Sequence, residues 1–455
     1  MASALFLILT FILCLSTSFA GNYNYGDVLG KSILFYEAQR TGKLPSNNRV
    51  SWRGDSFLND QGAFGEDLSG GYFDAGDFVK FVFPMTGAMT MLAWGLVDSK
   101  EGYQAAGELN NGLAALKWGT DFLIKAHPTP NRFYCQVGDA EKDHSVWGRP
   151  EDWPKNDIRP NLRLTTDKPG SEVVGEAAAA LAAASIAFKT ENPQYSQTLL
   201  THAQQLYTFA NTYRGKYSDS HPIVQEYYNS YTGFGDELAW AAAWLYRATN
   251  TASYKTDIDR HWNEFGLNAR PSEASWDWKL AQFQVLMAKI DGSSKYVNAA
   301  KSFCDWVVNT ARKTPKGLVF LSEWGALRHA ANAAYVCIQA GSAGINTAAY
   351  NAFAKRQIDY MLGDAGRSYV VGFGTNPPQR PHHAASSCPN PPARCDWDDF
   401  TKSGPNAHVL TGALVGGPDA NDNYVDNRQD YVKNEVTLDY NAGFQSALAA
   451  LHAMK

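Results

Sequence analysis

Apolar residues recur every three to four positions along most of this chain, a spacing typical of amphipathic helices. The run VVGEAAAALAAASIAF is one example: Ser171 and Glu172 before it suit the start of a helix, and its alanines allow close helix packing. There is no convincing strand alternation. The pattern predicts twelve helices, at 27–41, 84–97, 105–127, 171–188, 193–213, 233–247, 251–264, 274–289, 293–312, 323–340, 346–364 and 435–454.

Twelve helices without a fixed sequence period predict an all-α fold in which six helical hairpins close into an (α/α)6 barrel. A solenoid would instead show a regular repeat. No Ser/Thr/Pro or Gly/Ser tract divides the chain, so we expect residues 21–455 to form a single domain. Several connections are long, rich in glycine and proline, and aromatic, which is common for functional loops. These are 43–83, 128–170, 214–232 and 365–434.

The first 20 residues, MASALFLILTFILCLSTSFA, have an apolar core that ends in small residues. This pattern indicates a secretory signal peptide cut near Ala20, and the protein would then be extracellular. The alternative is a membrane anchor, for which the apolar run is short of the usual length of about 20 residues. We see no later segment that is apolar and long enough to span a bilayer, so we expect no membrane association.

The net charge of −5 and the pI near 6.1 argue against a nucleic-acid partner, which would require a basic stripe. The chain is also rich in aromatic residues, with 13 Trp, 23 Tyr and 23 Phe. Part of these must form the core, and the rest are compatible with stacking against flat apolar faces such as those of sugar rings.

The cysteines indicate disulfide bonding rather than zinc binding, because no CxxC or His/Cys spacing occurs. Cys388 and Cys395 lie in the Pro-rich loop SCPNPPARC, where a disulfide would close a loop with little regular structure. Cys135, Cys304 and Cys337 then stay free or form one further pair. The apolar helical surroundings of the last two favour buried thiols over metal ligands.

Two clusters of acidic residues could perform chemistry. In DLSGGYFDAGDFVKF, Asp74 and Asp77 are three residues apart, and two nearby carboxylates can hold one water and accept its proton. Far along the chain, Asp426 and Glu435 belong to YVDNRQDYVKNEVTLDYNAG, and a carboxyl among aromatic residues can keep its proton near neutral pH. Helix capping by Asp74 or Glu435 is the alternative interpretation in each case, and spacing alone does not decide.

Taken together, the motifs resemble glycoside hydrolase family 9, which contains endoglucanases and cellulases with an (α/α)6 barrel and an inverting mechanism. The family's DAGD motif is present at 74–77. The resemblance covers the whole mature chain and is greatest to the animal enzymes of termites, crustaceans and molluscs. It includes WRGDS at 52–56, WGRPED at 147–152, LSEWGALRHAANAA at 321–334 and the C-terminal signature formed by Tyr424, Asp426, Tyr431, Glu435, Thr437 and Asn441.

The resemblance implies a secreted endo-β-1,4-glucanase that hydrolyses cellulose-type glucans in an extracellular space such as a digestive lumen. We further expect a monomer without a separate carbohydrate-binding module or an organic cofactor. Asp77 would be the general base, Asp74 would help to position the attacking water, and Glu435 would be the general acid. Asp426 would orient the end of the cleft or tune the acid.

The same resemblance implies a set of sugar contacts: His144, Trp147, Arg149, Trp324, Arg328, His382 and Tyr431. Each tryptophan could equally belong to the core, and the two histidines could be structural. The chain departs from the family at Ala384, where arginine is common, and at Phe78, where many members have histidine. Arg380 or Arg394 could replace the missing arginine.

The segment SYTGFGDELAW resembles the family's metal loop and implies a structural Ca²⁺ site, because oxygen-only ligands suit this ion. Its candidate ligands are Thr232, Gly233, Asp236, Glu237 and Asp277. The alternative is that Asp236 and Glu237 merely start a helix.

Two other functions are compatible with part of these observations. Terpene cyclases also use acidic motifs on α/α folds, but they need a deep apolar pocket and Mg²⁺ ligands for a diphosphate. A glucan-binding protein without catalysis would be expected to lack one of the four carboxylates, and all four are present.

Overall fold

The computed structural model describes residues 22–455, so the predicted signal peptide at 1–20 lies outside the described residues. Twelve of the helices in this range have more than ten residues. They are α1 Tyr25–Ala38, α2 Val82–Asp98, α3 Leu109–Lys125, α4 Ser171–Phe188, α5 Pro193–Thr212, α6 Gly235–Thr249, α7 Ala252–Glu264, α8 Leu280–Ile290, α9 Ser294–Asn309, α10 Ala326–Ser342, α11 Thr347–Asp359 and α12 Leu438–Ala453.

The even-numbered helices form a closed inner ring, in which each packs against the next and α12 packs against α2. Each odd-numbered helix lies outside the ring and packs against an even-numbered neighbour in sequence; α1 packs against α12. This arrangement confirms the predicted (α/α)6 barrel. Closure of the ring places the first and last parts of the described chain side by side.

Burial distinguishes the two rings. Nearly every residue of α4 and α12 is buried, whereas α7 buries only Ile258 and His261. By length and composition, α4 could cross a membrane, which we did not expect from the sequence, but 94% of it is buried within the protein. It packs against α2, α5 and α6, so α4 is a core helix of the barrel.

Three predicted helix boundaries differ from the structure for local reasons. The predicted helix 105–127 corresponds to α3, which begins only at Leu109, because the chain turns at Gly107 with a φ of +73° after a separate short helix, Lys100–Ala105. Helix α8 begins six residues later than predicted, because 274–279 form a loop that binds the 230–236 segment. Helix α12 begins at Leu438 with Thr437 as its N-cap, so Glu435 precedes the last helix.

A small antiparallel sheet, which the sequence pattern did not predict, lies beside the barrel in the order β1-β2-β3. It consists of β1 Lys80–Phe81, β2 Phe133–Val137 and β3 Asn161–Leu164, with Lys80 opposite Val137 and Phe133 opposite Leu164. The sheet begins three residues after Asp77. The long loops also contain the short helices Ala140–His144, Tyr217–Ser220, Ala384–Ser387, Trp397–Thr401 and Tyr431–Asn434.

Two disulfides are present in the described residues. Cys388–Cys395 is the predicted loop bridge. Cys304 on α9 and Cys337 on α10 also form a bridge, so of the two alternatives left by the sequence the additional pair is correct, and these residues are not free thiols. Cys135 is free and buried in β2.

Candidate active site

The DAGD loop is attached by backbone hydrogen bonds to two distant segments. The Leu438 N–H, at the start of α12, donates to the Asp74 carbonyl at 2.9 Å, and the Ala384 N–H donates to the Gly76 carbonyl at 2.9 Å. A Cβ atom at Gly76 would lie 2.3 Å from the His382 carbonyl oxygen, so this approach requires glycine. Residues that are more than 300 positions apart in sequence therefore meet at one place.

The two aspartates of this loop each present one unpaired carboxylate oxygen. Oδ2 of the buried Asp74 accepts a hydrogen bond from the Tyr228 hydroxyl, and Oδ2 of Asp77 lies 3.4 Å from Nε2 of His144. The Oδ1 atoms of both aspartates are buried and have no partner within the protein. Burial, followed by the charge of Asp77, raises the pKa of Asp74 well above its usual value.

Buried charged side chains bind the residues that follow the DAGD loop. Asp60 accepts hydrogen bonds from the Arg159 guanidinium at 2.6 and 2.9 Å, and lies 2.7 Å from Lys80 Nζ. Arg159 also donates to the carbonyl of Phe78, the residue after the proposed base. Asp143 accepts the Phe78 N–H at 3.1 Å, and burial next to Asp77 raises the pKa of Asp143 to about 7.

Glu435 lies in an extended stretch between two helices. Its Oε2 accepts hydrogen bonds from Trp324 Nε1 at 2.9 Å and from the Tyr440 hydroxyl at 3.1 Å. Its carbonyl accepts the Gly416 N–H at 2.9 Å, and the neighbouring Asn434 carbonyl accepts the His382 N–H at 2.8 Å. Burial is the main cause that raises the pKa of Glu435, although the two hydrogen bonds lower it in part.

The segments that carry the two carboxyl groups thus meet at His382, yet Asp77 and Glu435 form no hydrogen bond or ion pair with each other within residues 22–455. The charge of Asp77 is among the causes that raise the pKa of Glu435, so the two groups share one electrostatic environment. Such a pair can supply an ionised base and a protonated acid to one substrate.

Aromatic rings surround this centre. Trp324 and Tyr431 are 47% and 51% exposed, and their ring centroids are 5.5 Å apart. His382 is partly buried, and its Nδ1 lies 2.8 Å from the Arg428 carbonyl. Trp147 is buried and donates to Ser387 Oγ at 2.8 Å. Of the two predicted tryptophan platforms, only Trp324 therefore presents a large exposed face.

The other polar residues predicted as contacts are engaged within the protein. Arg149 donates to the carbonyls of Pro389 and Ala393, and pairs with Asp152. Arg328 donates to Asp439 at 3.0 Å. These partners give both arginines a role in holding the site together, and their predicted sugar contacts remain predictions.

Asp426 also holds a loop. Its two carboxylate oxygens accept the backbone N–H groups of Gln379 and Arg380 at 2.8 and 3.0 Å. Arg380 donates to the Ser403 carbonyl, and Arg394 pairs with Asp396. Within these described contacts, neither Arg380 nor Arg394 binds Glu435 or Asp77. That one of them takes the place of the arginine common in the family at position 384 therefore remains a prediction.

The predicted calcium ligands are close together in the 230–237 and 277 segments. Glu237 is fully buried, and neither of its carboxylate oxygens has a hydrogen-bond partner. Its pKa is raised well above the usual value by burial and by the charges of Asp236 and Asp277. Asp277 accepts the N–H groups of Tyr231 and Thr232 at 3.1 Å.

The oxygen-rich donor set and the two unpaired oxygens of Glu237 fit a hard cation such as Ca²⁺. The carboxylates of Asp236, Glu237 and Asp277 are nevertheless less tightly clustered than a second set of side chains. Within residues 22–455, Asp77, Asp143 and His144 are the set of acidic and histidine side chains with ligand atoms within 4.8 Å of one another.

Two tyrosines at the centre were missed from the sequence. Tyr228 donates to Asp74 from the long loop 214–232, and Tyr440 donates to Glu435 from the first turn of α12. Tyr440 lies five residues after Glu435 inside the C-terminal motif and could have been noticed there. Tyr228 belongs to no motif, and only the folded path of its loop reveals its role.

Comparison with known proteins gives the family of the chain and the fold of its relatives. The family model described as "Glycosyl hydrolase family 9" matches residues 25–448. The endoglucanase of the termite Nasutitermes takasagoensis has a similar structure, with a TM-score of 0.94 and 56% identity over 95% of this chain and 100% of that one. The endoglucanase CelQ of Clostridium thermocellum complexed with cellotriose is 36% identical, with a TM-score of 0.84 over 95% of this chain and 71% of the other.

Among curated proteins, endoglucanase B of Cellulomonas fimi is 46% identical over 450 residues, which are 95% of this chain and 42% of that protein. The chain thus spans less than half the length of this relative. The family match over nearly the whole described chain, together with the DAGD loop and Glu435 brought to one place, leads to one conclusion: the chain belongs to glycosyl hydrolase family 9.

Proposed function

We propose that this protein is a secreted endo-β-1,4-glucanase that hydrolyses internal bonds of cellulose-type glucans with inversion at the anomeric carbon. Family membership and the relatives named as endoglucanases support a glucan hydrolase. The complex of CelQ with cellotriose supports a β-1,4-linked glucan as the substrate class.

In the proposed mechanism, the two unpaired Oδ1 atoms of Asp74 and Asp77 hold one water molecule. Asp77 removes a proton from this water as its oxygen attacks the anomeric carbon. Glu435 donates its proton to the glycosidic oxygen, and that bond breaks. An acid and a base separated by about 6.5–9.5 Å leave room for the water on the face opposite the leaving group.

The observation that supports this assignment most directly is the different environment of the two reacting carboxyls. Asp77 faces the imidazole of His144, and this contact raises the pKa of His144. Glu435 is buried among aromatic rings, which raises its pKa and favours its protonated form. One group is therefore suited to accept a proton and the other to donate one.

Substitution of the acid tests the function. We expect Glu435→Gln to lower the rate of reducing-end release from carboxymethylcellulose by at least about a thousandfold, because the amide cannot donate the proton. Glu191→Gln, at an exposed ion pair with Lys100, is the control and should retain the wild-type rate. Equal rates for the wild type and Glu435→Gln would end the hydrolase assignment, and a glucan-binding protein would then be the better account.

The calcium site is part of the same proposal. Glu237, Asp236 and Asp277, with oxygens of Thr232 and Gly233, would hold the ion. Bound Ca²⁺ would join the 230–234 loop to the start of α6, and would not take part in the reaction. Export through the predicted signal peptide, a monomeric state and the absence of an organic cofactor remain predictions from the sequence.

A further inference from the structure

Five rings form a continuous series of contacts across the candidate active site. In order they are Trp397, Trp147, His382, Tyr431 and Trp324, with successive centroids 5.9, 5.3, 6.1 and 5.5 Å apart. The second and third members, Trp147 and His382, are largely covered. The other three are open: Trp397 is 44% exposed, and Tyr431 and Trp324 are about half exposed.

The order of the rings relates them to the reacting groups. Trp324 donates to Glu435, so one end of the series lies at the proposed acid. His382 lies between the acid segment and the DAGD loop, because its N–H binds Asn434 and its carbonyl is against Gly76. In the order of ring contacts, Trp397 is thus at the end of the series away from Glu435.

Trp397 is held firmly in this exposed position. Its indole N–H donates to the Ser145 carbonyl at 3.4 Å, next to His144, and its ring packs against Phe400 with centroids 5.3 Å apart. The preceding loop is closed by the disulfide Cys388–Cys395, and Arg149 donates to two carbonyls inside it. A large aromatic face is thus fixed next to the loop that carries His144, and it is oriented before a ligand binds.

An exposed tryptophan at the end of a line of ring contacts, next to polar groups such as His144, suits a ligand with alternating flat apolar faces and hydroxyl edges, as pyranose rings have. If Trp397 served only to cover Trp147, almost half of its side chain would not need to be exposed. We propose that Trp397 forms a distal glucose-binding platform, on the opposite side of the cleaved bond from Trp324 and Tyr431. This inference rests on the proposed glucanase function.

The test is the dependence of hydrolysis on substrate length. We expect Trp397→Ala to lower kcat/KM for cellohexaose by about tenfold, the effect of one lost aromatic contact, and to change kcat/KM for the shortest cleaved cello-oligosaccharide by less than about twofold. Trp397→Phe should recover most of the loss. Phe64→Ala, another exposed aromatic in a long loop, is the control and should leave the length dependence unchanged.

Binding to an inactive variant separates failure of this inference from failure of the function. In the Glu435→Gln background, Trp397→Ala should weaken the Kd for cellohexaose by about tenfold, measured by calorimetry, even if turnover cannot be followed. An equal loss of kcat/KM for short and long substrates would indicate a purely structural role and overturn the platform. Unchanged kcat/KM and Kd for cellohexaose would overturn it as well.

Discussion

The acid–base chemistry depends on how individual side chains adjust Glu435. This carboxyl is buried, but Trp324 and Tyr440 both donate hydrogen bonds to one of its oxygens. Hydrogen bonds to a carboxylate stabilise its charged form, so they oppose the effect of burial on the pKa of Glu435. Trp324 is therefore both an exposed ring and a group that sets the pH range of the acid.

Trp324→Phe keeps the ring and removes the donor. Loss of this hydrogen bond raises the pKa of Glu435 further, and an acid that must be protonated then stays active to higher pH. We expect the basic limb of the kcat/KM profile to move to higher pH, with a loss of about tenfold or less in kcat at the optimum. A limb that stays in place or moves to lower pH would contradict the assignment of Glu435 as the acid.

At this scale the sequence predicted the carboxylates of the two motifs but missed the tyrosines that bind them, Tyr228 and Tyr440. Asp74, Asp77 and Glu435 were identified by resemblance, and the structure brings their segments together. Arg149 has the residue type of a sugar contact, but its guanidinium is committed to the loop at 389–393. Which carbonyls lie within reach of a long side chain is a property of the folded loop, so no pattern along the chain could show it.

Among the elements, the sheet and the DAGD loop are joined by the buried charges of Asp60, Lys80 and Arg159. Burial alone would raise the pKa of Asp60, but the positive charges of Lys80 and Arg159 lower it. Burial lowers the pKa of Lys80 to about 8. A buried ion pair with one partner removed leaves an uncompensated charge in a region of low polarity, which is strongly destabilising.

We therefore expect Asp60→Asn to lower the free energy of unfolding by about 3–5 kcal/mol. The matched control is Asp27→Asn, which removes an exposed i,i+4 pair with Lys31 and should cost no more than about 1 kcal/mol. Denaturant titrations of both variants measure the difference. Equal stabilities would show that the buried cluster does not hold the loop.

The 230–237 and 277 segments give a second prediction for the elements. If Glu237 binds Ca²⁺, the ion stabilises the folded state by mass action, so the thermal midpoint should rise with added Ca²⁺ and fall with EDTA. Glu237→Gln should abolish this dependence, whereas Glu226→Gln, exposed in the same loop, should preserve it. A midpoint insensitive to Ca²⁺ in the wild type would contradict the calcium proposal.

The outer helices were predictable at this scale because each buries one face and shows a period of 3.6 residues, whereas inner helices such as α4 were identified by long apolar, alanine-rich runs. The failures occurred where a local contact decides the boundary. Helix α8 starts late because Asp236 accepts the Lys279 N–H and Asp277 binds a neighbouring loop. Strand β1 has only two residues, which is too short to show alternation.

For the whole molecule, closure of the barrel is what creates the site. The DAGD loop leads into α2 and Glu435 precedes α12, and these two helices are neighbours only because the inner ring closes. The sequence predicted the closed six-hairpin barrel, and such a barrel brings the first and last hairpins together. It could not give the width of the gap between the two carboxyls, which depends on how closely the loops at 74–77, 382–384 and 434–438 pack.

That width determines the stereochemistry of the reaction. A gap that admits one water under the anomeric carbon gives direct displacement and inversion, whereas carboxyls about 5–5.5 Å apart form a covalent intermediate and retain configuration.

Proton NMR of the products formed in the first minutes from cellohexaose, before mutarotation, is the most direct test. The proposed mechanism predicts that the newly formed reducing ends appear first as the α anomer. Initial appearance of the β anomer would contradict it.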